Sequence, residues 1–303
     1  MKYIPFLFII FIIACEQVVE IDLPEHESQL VLSSFYQAGD TKITAYLTKS
    51  LAILSNEDPD DVWGATMKLY ENDVLVGQLD DSPDTTYSYQ FVGFDDENEP
   101  IYEEVISNIS RAYLLQLAEP LKEGKTYKIT AEAPDYESIS ATQQVPLPNI
   151  INSVEYFPLS RPSLDGYLMD ALKIQLQDSP DNDNYYEFQV FKGYQGGWVS
   201  TWTESLTPGM ERGGNGAFLL SDNLFDGGTY DVEVLVWPED TTEVDFRIEI
   251  ASISRDKYLF FKSLEALYLA EDNPFAEPVI VHTNVENGQG IFSMENKTEI
   301  IVE

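Results

Sequence analysis

The chain has 303 residues and a formal net charge of −36, with 53 acidic against 17 basic side chains. That balance repels phosphate backbones and anionic lipid head groups, so no nucleic acid and no polybasic membrane patch is expected; it leaves a solvated acidic surface, a cation or a basic partner. A hydrophobic content of 44% with 13% aromatics excludes global disorder, and a single cysteine excludes an intramolecular disulfide, so packing alone must hold the fold.

The first element is Met1 to Ala14. Lys2 is followed by an uncharged, mainly apolar run that ends on Ile12-Ile13-Ala14-Cys15. A positive start, a short apolar stretch and a small-residue end are the parts of a secretory signal. The run is too short to span a bilayer, which needs about 20 apolar residues. Its end resembles the bacterial lipobox, which implies cleavage before Cys15 and a lipid anchor on that residue. An ordinary signal peptide followed by an incidental cysteine is the other reading. The expected order is signal 1–14, lipidated acidic tether 15–27, a first β unit 28–147 and a larger second unit 148–303.

Period-two alternation then recurs. Val19, Ile21 and Leu23 alternate with acids, and 29–36, 42–48 and 65–70 repeat the pattern. Glu71-Asn72-Asp73 reads as a turn into 74–76. Further strands are expected at 85–94, 111–118, 125–133 and 137–145. Short alternating runs punctuated by Gly, Pro, Asn and Asp indicate an antiparallel sandwich. The stretch Glu123 to Ala131 looks like a late strand of immunoglobulin- or transthyretin-like modules.

Val145-Pro146-Leu147-Pro148-Asn149 is the expected boundary, because two closely spaced prolines do not fit a central strand. Beyond it, strands are expected at 167–177, 185–192, 198–203, 229–237 and 243–253. The run 204–215 reads as a long surface loop. One segment changes period. Ser254 can cap, Asp256 lies in the first turn, and Phe260 or Phe261, Leu264, and Leu267 or Tyr268 recur at helical spacing before Asn273-Pro274. This predicts one amphipathic helix over about 254–271. Closing strands are expected at 279–282, 291–294 and 298–302. The predicted fold class is all-β: an immunoglobulin- or transthyretin-like sandwich, then a larger β domain with one helix.

Catalytic signatures are missing from the sequence. Gly-x-Ser-x-Gly, His-Glu-x-x-His and a Walker loop do not occur, and a Ser-His-Asp arrangement would have to use His282 with a serine that no motif identifies. Lipidation would remove the only thiol. No enzyme is expected. The loop Asp178-Ser179-Pro180-Asp181-Asn182-Asp183-Asn184 concentrates oxygen ligands of the kind Ca²⁺ takes, with Asp178, Asp181 and Asp183 as candidates. The EF-hand spacing fails, and Asn and Asp are also favoured turn formers, so a plain turn competes. Trp198 and Trp202 would share a face of one strand at 198–203, with Tyr194 just before them. The three are a candidate platform for a sugar ring or a partner side chain; hairpin packing is the competing reading.

An ordered set of short motifs remains: Ile21-Asp22-Leu23-Pro24, Asp183-Asn184-Tyr185-Tyr186, Ser221-Asp222-Asn223-Leu224-Phe225-Asp226-Gly227, Asn273-Pro274-Phe275-Ala276-Glu277-Pro278, and Asn284 through Phe292. Together they resemble a family of Bacteroidota lipoproteins known only as a domain of unknown function (number forty-two forty-nine). The resemblance implies an outer-membrane lipoprotein, typically encoded beside a TonB-dependent receptor, with no established enzymatic activity and no catalytic residues to carry over. Glu16, Glu20 and Asp22, soon after the anchor, are similar to signals that send such lipoproteins to the cell surface. The expected role is an accessory or substrate-binding subunit of a TonB-dependent transport system. An autonomous glycan- or protein-binding adhesion module is the alternative.

Overall fold

The computed structural model describes residues 26–302 apart from 53–54, 56, 95–99, 181–182, 195–196, 239–244, 272–275 and 278, with the backbone alone at 84, 86–91, 94, 100–104, 107–109 and 194. Cys15, Asp181 and the expected strand around 19–23 therefore lie outside the described residues.

The first half runs β1 (Leu30–Gln37), β2 (Lys42–Lys49), β3 (Thr66–Glu71), β4 (Val74–Phe94), β5 (Pro100–Gln116), β6 (Thr126–Glu132) and β7 (Ile139–Gln144). The alternation that marks these strands becomes a buried face: Leu30, Leu32, Ile43, Leu47, Met67, Leu69 and Ile129 are each at most 1% exposed. Asn72 and Asp73 both take positive φ (48° and 67°) and close the β3–β4 hairpin. β4 and β5 are longer than the expected strands. Pro83 sits inside β4 opposite Arg111, and from Ser82 outward the two strands pair only with each other. A proline is tolerated there because an edge position has no ladder bond to lose on its outer side.

The second half runs β8 (Ile150–Pro162), β9 (Leu168–Gln177), β10 (Tyr185–Tyr194), β11 (Gly197–Ser200), β12 (Thr203–Ser205), β13 (Glu211–Arg212), β14 (Phe218–Ser221), β15 (Thr229–Val236) and β16 (Phe246–Ile253), then helix α1 (Arg255–Glu271) and β17 (Gln289–Val302). Strands β12-β15-β9-β8 form a four-stranded sheet. Leu172, Ile174, Val232 and Val234 from it pack against Phe188, Ile248 and Ile250 from β10 and β16, which makes the second sandwich core. The expected loop at 204–215 instead contributes β12 and β13. The glycine turn after β13 is packed rather than free: Gly214 N–H donates to Phe261 O at 2.9 Å, and a Cβ at Gly214 would lie 2.7 Å from Leu264 Cγ.

β17 ties the halves together. Its residues 289–295 run parallel to β1, and 295–302 run antiparallel to β16. Phe292 and Met294 join the first core, while Ile300 and Val302 pack on the second. The two short closing strands expected at 291–294 and 298–302 are thus one strand inside a 13-stranded sheet. At the far end of that sheet, β7 returns to the segment before β17, where Ser140 and Glu286 exchange backbone hydrogen bonds (3.3 and 2.8 Å). Helix α1 occupies the expected span. Ser254 Oγ accepts from the Lys257 N–H (3.2 Å), a capping bond, and Tyr258 and Phe261 bury its inner face. No helix among the described residues is long and apolar enough to cross a membrane.

Candidate functional site

The segment after β10 determines where the tryptophans go. β11 pairs with β10, setting Trp198 opposite Gly193, whereas β12 pairs with β15 in the other sheet, setting Thr203 opposite Val236. The chain crosses between sheets at Thr201 and Trp202. The single strand expected at 198–203 is two strands, so Trp198 and Trp202 do not share a face.

Trp202 instead meets Trp237. Extending the β12–β15 register by one residue places the two indoles opposite each other, and their ring centroids are 6.0 Å apart at 75°. Tyr167, just before β9, adds a third ring 5.8 Å from Trp237. All three are well exposed, at 52%, 45% and 60% for Trp202, Trp237 and Tyr167. Beside them Met169, Ala171 and Leu235 form a small cluster at 0% exposure. The rest of this outer face is ionic: Arg161 pairs with Glu233 (3.0 Å) and Lys173 with Asp231 (2.9 Å). Exposed aromatics gathered at one end of a sheet face are the kind of apolar patch that marks a contact site.

A cavity adjoins Trp202 on its other side. On one edge of β10 the ladder is interrupted: β14 covers Tyr185 to Phe188, β11 covers Phe191 to Tyr194, and Gln189 and Val190 pair with neither. A cavity of about 360 Å³ opens there, lined by Gln189, Ser200, Thr201, Trp202, Arg212 and Asn215 among others. Arg212 Nη1 donates to Gly216 O (2.8 Å) and Nη2 to Thr203 O (2.5 Å), and its guanidinium lies 4.5 Å from the centre of the Phe218 ring.

Trp198 has a different environment. It is half-buried, and the Arg247 guanidinium sits 5.5 Å from its ring and 4.5 Å from Phe191. That is a packing role on the larger sheet. Tyr194 closes β10, and its side chain is outside the described set. Trp237 and Tyr167 were missed by the sequence because each reads only as the end of a strand. Nothing but cross-strand register brings them to Trp202.

Asp178 lies at 2% exposure and joins Asp222 and Asp226, whose ligand atoms all fall within 4.8 Å of one another. Asp183 is outside this group. Tyr186 Oη donates to Asp178, Gly227 N–H donates to Asp178 Oδ2 (2.8 Å), and Asn184 N–H donates to Asp222 Oδ2 (2.6 Å). Burial raises the Asp222 carboxyl above its ordinary range, with Asp178 and Asp183 adding to the rise and the Asn184 N–H opposing it. These bonds pin the β9–β10 loop to the short 3-10 turn Asp222–Leu224.

His282 Nε2 contacts Asp256 Oδ1 at 2.8 Å. Ser263 Oγ, however, accepts from the His282 backbone N–H and donates to Phe260 O. The hydroxyl therefore engages the main chain and not the imidazole, whereas a hydrolytic triad requires a serine on the ring.

No curated protein matches the chain. Among solved structures, the Fcho1 Mu homology domain of Danio rerio with bound Eps15 peptide is similar at 8% identity, with 90% of this chain and 92% of that one covered and a TM-score of 0.19. The collagen adhesin CNA of S. aureus is similar at 9% identity, covering 90% and 93%, with a TM-score of 0.15. Such low scores carry no functional inference. The family described as Domain of unknown function (DUF4249) matches residues 16–301, nearly the whole sequence, and the chain belongs to that family.

Proposed function

We propose that this protein is a non-enzymatic lipoprotein held at the outer membrane through Cys15, acting as an accessory or substrate-binding subunit of a TonB-dependent transport system. The observation that carries the binding role is the exposed trio Tyr167, Trp237 and Trp202 at one end of the small sheet. Large rings left in water on a rigid sheet supply contact area with little side-chain entropy to lose. The lipobox-like end of the signal and the family resemblance support the location and the transporter partner. This role requires no cofactor, and the aspartates around Asp178 then serve as a turn brace rather than a calcium site.

Affinity purification of the tagged protein from detergent-solubilised membranes tests the proposal. A receptor barrel should co-purify with the wild type and be depleted in Trp202→Ala and Trp237→Ala. If the wild type is recovered alone, the transporter role fails, and an autonomous glycan- or protein-binding adhesion module becomes the better account of the same face.

A further inference from the structure

We infer that the cavity in the β10 edge binds a carboxylate-bearing sugar, with Arg212 taking the carboxylate and Trp202 covering a ring face. This rests on the assignment of the Trp202 end of the molecule as the binding surface.

Charge is the first support. Acids outnumber bases 53 to 17 in this chain, yet among the described residues lining the cavity Arg212 is the only charged one. A chain of net charge −36 repels anions, so an anionic ligand is held only where a local cation meets it without a competing carboxylate. Arg212 makes no ion pair among the described residues. Its bonds to Gly216 O and Thr203 O use two of five N–H donors and fix the plane of the guanidinium, leaving donors for a carboxylate fork.

Hydrogen-bonding capacity is the second support. The Asn215 side-chain NH₂ has no hydrogen-bond partner among the described residues, while Asn215 Oδ1 accepts from Ala217 N–H at 3.2 Å. Ser200 and Thr201 add hydroxyls at the same rim. Uncharged donors and acceptors beside an indole suit sugar hydroxyls and the apolar C–H face of a pyranose. The volume of about 360 Å³ falls at the small end of ligand sites, the size of one or two sugar units.

The test uses the detergent-solubilised lipidated protein on an array of uronic- and sialic-acid oligosaccharides, each beside its carboxyl-reduced counterpart. The acidic forms should be retained at least about tenfold more strongly than the reduced ones. Arg212→Gln should erase that difference. Because Arg212 also braces Thr203 and Gly216, Thr201→Val is the second variant, removing a lining hydroxyl at nearly constant shape and expected to weaken acidic glycans several-fold without moving the thermal midpoint. Equal retention of acidic and reduced forms, or no retention of any acidic glycan, overturns the inference. The aromatic-face assignment fails separately, if Trp237→Ala leaves receptor co-purification unchanged while Arg212→Gln still alters glycan retention.

Discussion

Trp202 and Trp237 face each other across the β12–β15 register with centroids 6.0 Å apart, and Tyr167 extends the row from the neighbouring strand. Trp237 is the middle ring. Its removal breaks both aromatic pairs, each worth about 1 kcal/mol. Trp237→Ala should therefore lower stability by roughly 1–2 kcal/mol, seen in urea unfolding. Partner capture should fall more steeply, by tenfold or more, since central aromatic anchors dominate contact energies at about 2 kcal/mol or above. Capture that drops only in line with the unfolded fraction would mean the ring is structural.

Lys257 is 4% exposed and lies between two carboxylates, 3.1 Å from Glu187 Oε2 and in contact with Glu295 on β17. The triad joins α1 to both β10 and β17. Lys257→Ala would leave the buried Glu187 and the partly buried Glu295 carboxylates without their cation and should cost about 3–5 kcal/mol. Adding Glu187→Gln and Glu295→Gln to that variant should restore part of the loss. A calorimetric series across the four proteins decides this; additive losses would refute the coupling.

The same lysine implies an alkaline limit. Burial pulls its pKa down, but the charges of Glu187 and Glu295 outweigh this and hold it above the ordinary lysine value. A cation with a raised folded-state pKa contributes stability that is complete below its unfolded value and is lost as pH climbs through the folded one. Unfolding midpoints of the wild type should thus fall toward those of Lys257→Ala only above about pH 10.4. Convergence of the two curves on acidification instead would reverse the sign and reject the assignment.

Asp222 has the opposite consequence. Burial first, then the charges of Asp178 and Asp183, raise its carboxyl pKa, so the folded state holds the proton more tightly than the unfolded chain. Ionisation then costs stability in full above the folded pKa, and the cost fades as pH falls through that value and is gone below the unfolded one. Asp222→Asn keeps an oxygen for the Asn184 N–H, which now donates to Oδ2 at 2.6 Å. The variant should melt higher than the wild type at neutral pH, with the gap closing in the acidic range. A variant that melts lower at neutral pH would show the carboxylate to be stabilising, as in a metal site.

Local patterns in this chain were legible where neighbouring residues decide the structure. Alternation placed Leu30, Leu32, Ile43 and Leu47 in the core, and Ser254 with the Phe261 stripe located the helix. Long-range pairing was not legible. The separate runs expected at 74–76 and 85–94 are one strand, and Pro83 inside it is tolerated because it lies in a two-stranded ribbon where no third strand needs a donor from it. The parallel match of β17 to β1 joins opposite ends of the chain with no local signal. The tryptophan site failed for the same reason. Trp198 and Trp202 are spaced for one face of a strand, but the backbone changes sheets between Ser200 and Thr203, and the true neighbours come from β9 and β15.

In the proposed function, membrane attachment would rest on one atom, the Cys15 sulfur. A chain of net charge −36 has no electrostatic attraction to anionic lipid, and no described helix could span the bilayer. Each buried acyl CH₂ contributes about 0.8 kcal/mol, so more than one chain on a single cysteine is enough to hold a soluble domain on the membrane. Cys15→Ser should therefore move the protein from the membrane pellet to the soluble fraction. The family match begins at residue 16, and every core residue of both sandwiches lies well beyond it. The released protein should accordingly show the same unfolding midpoint within about 0.5 kcal/mol. Sedimentation of Cys15→Ser with washed membranes would place the anchor elsewhere and would change the orientation in which the Trp202 face meets the proposed partner.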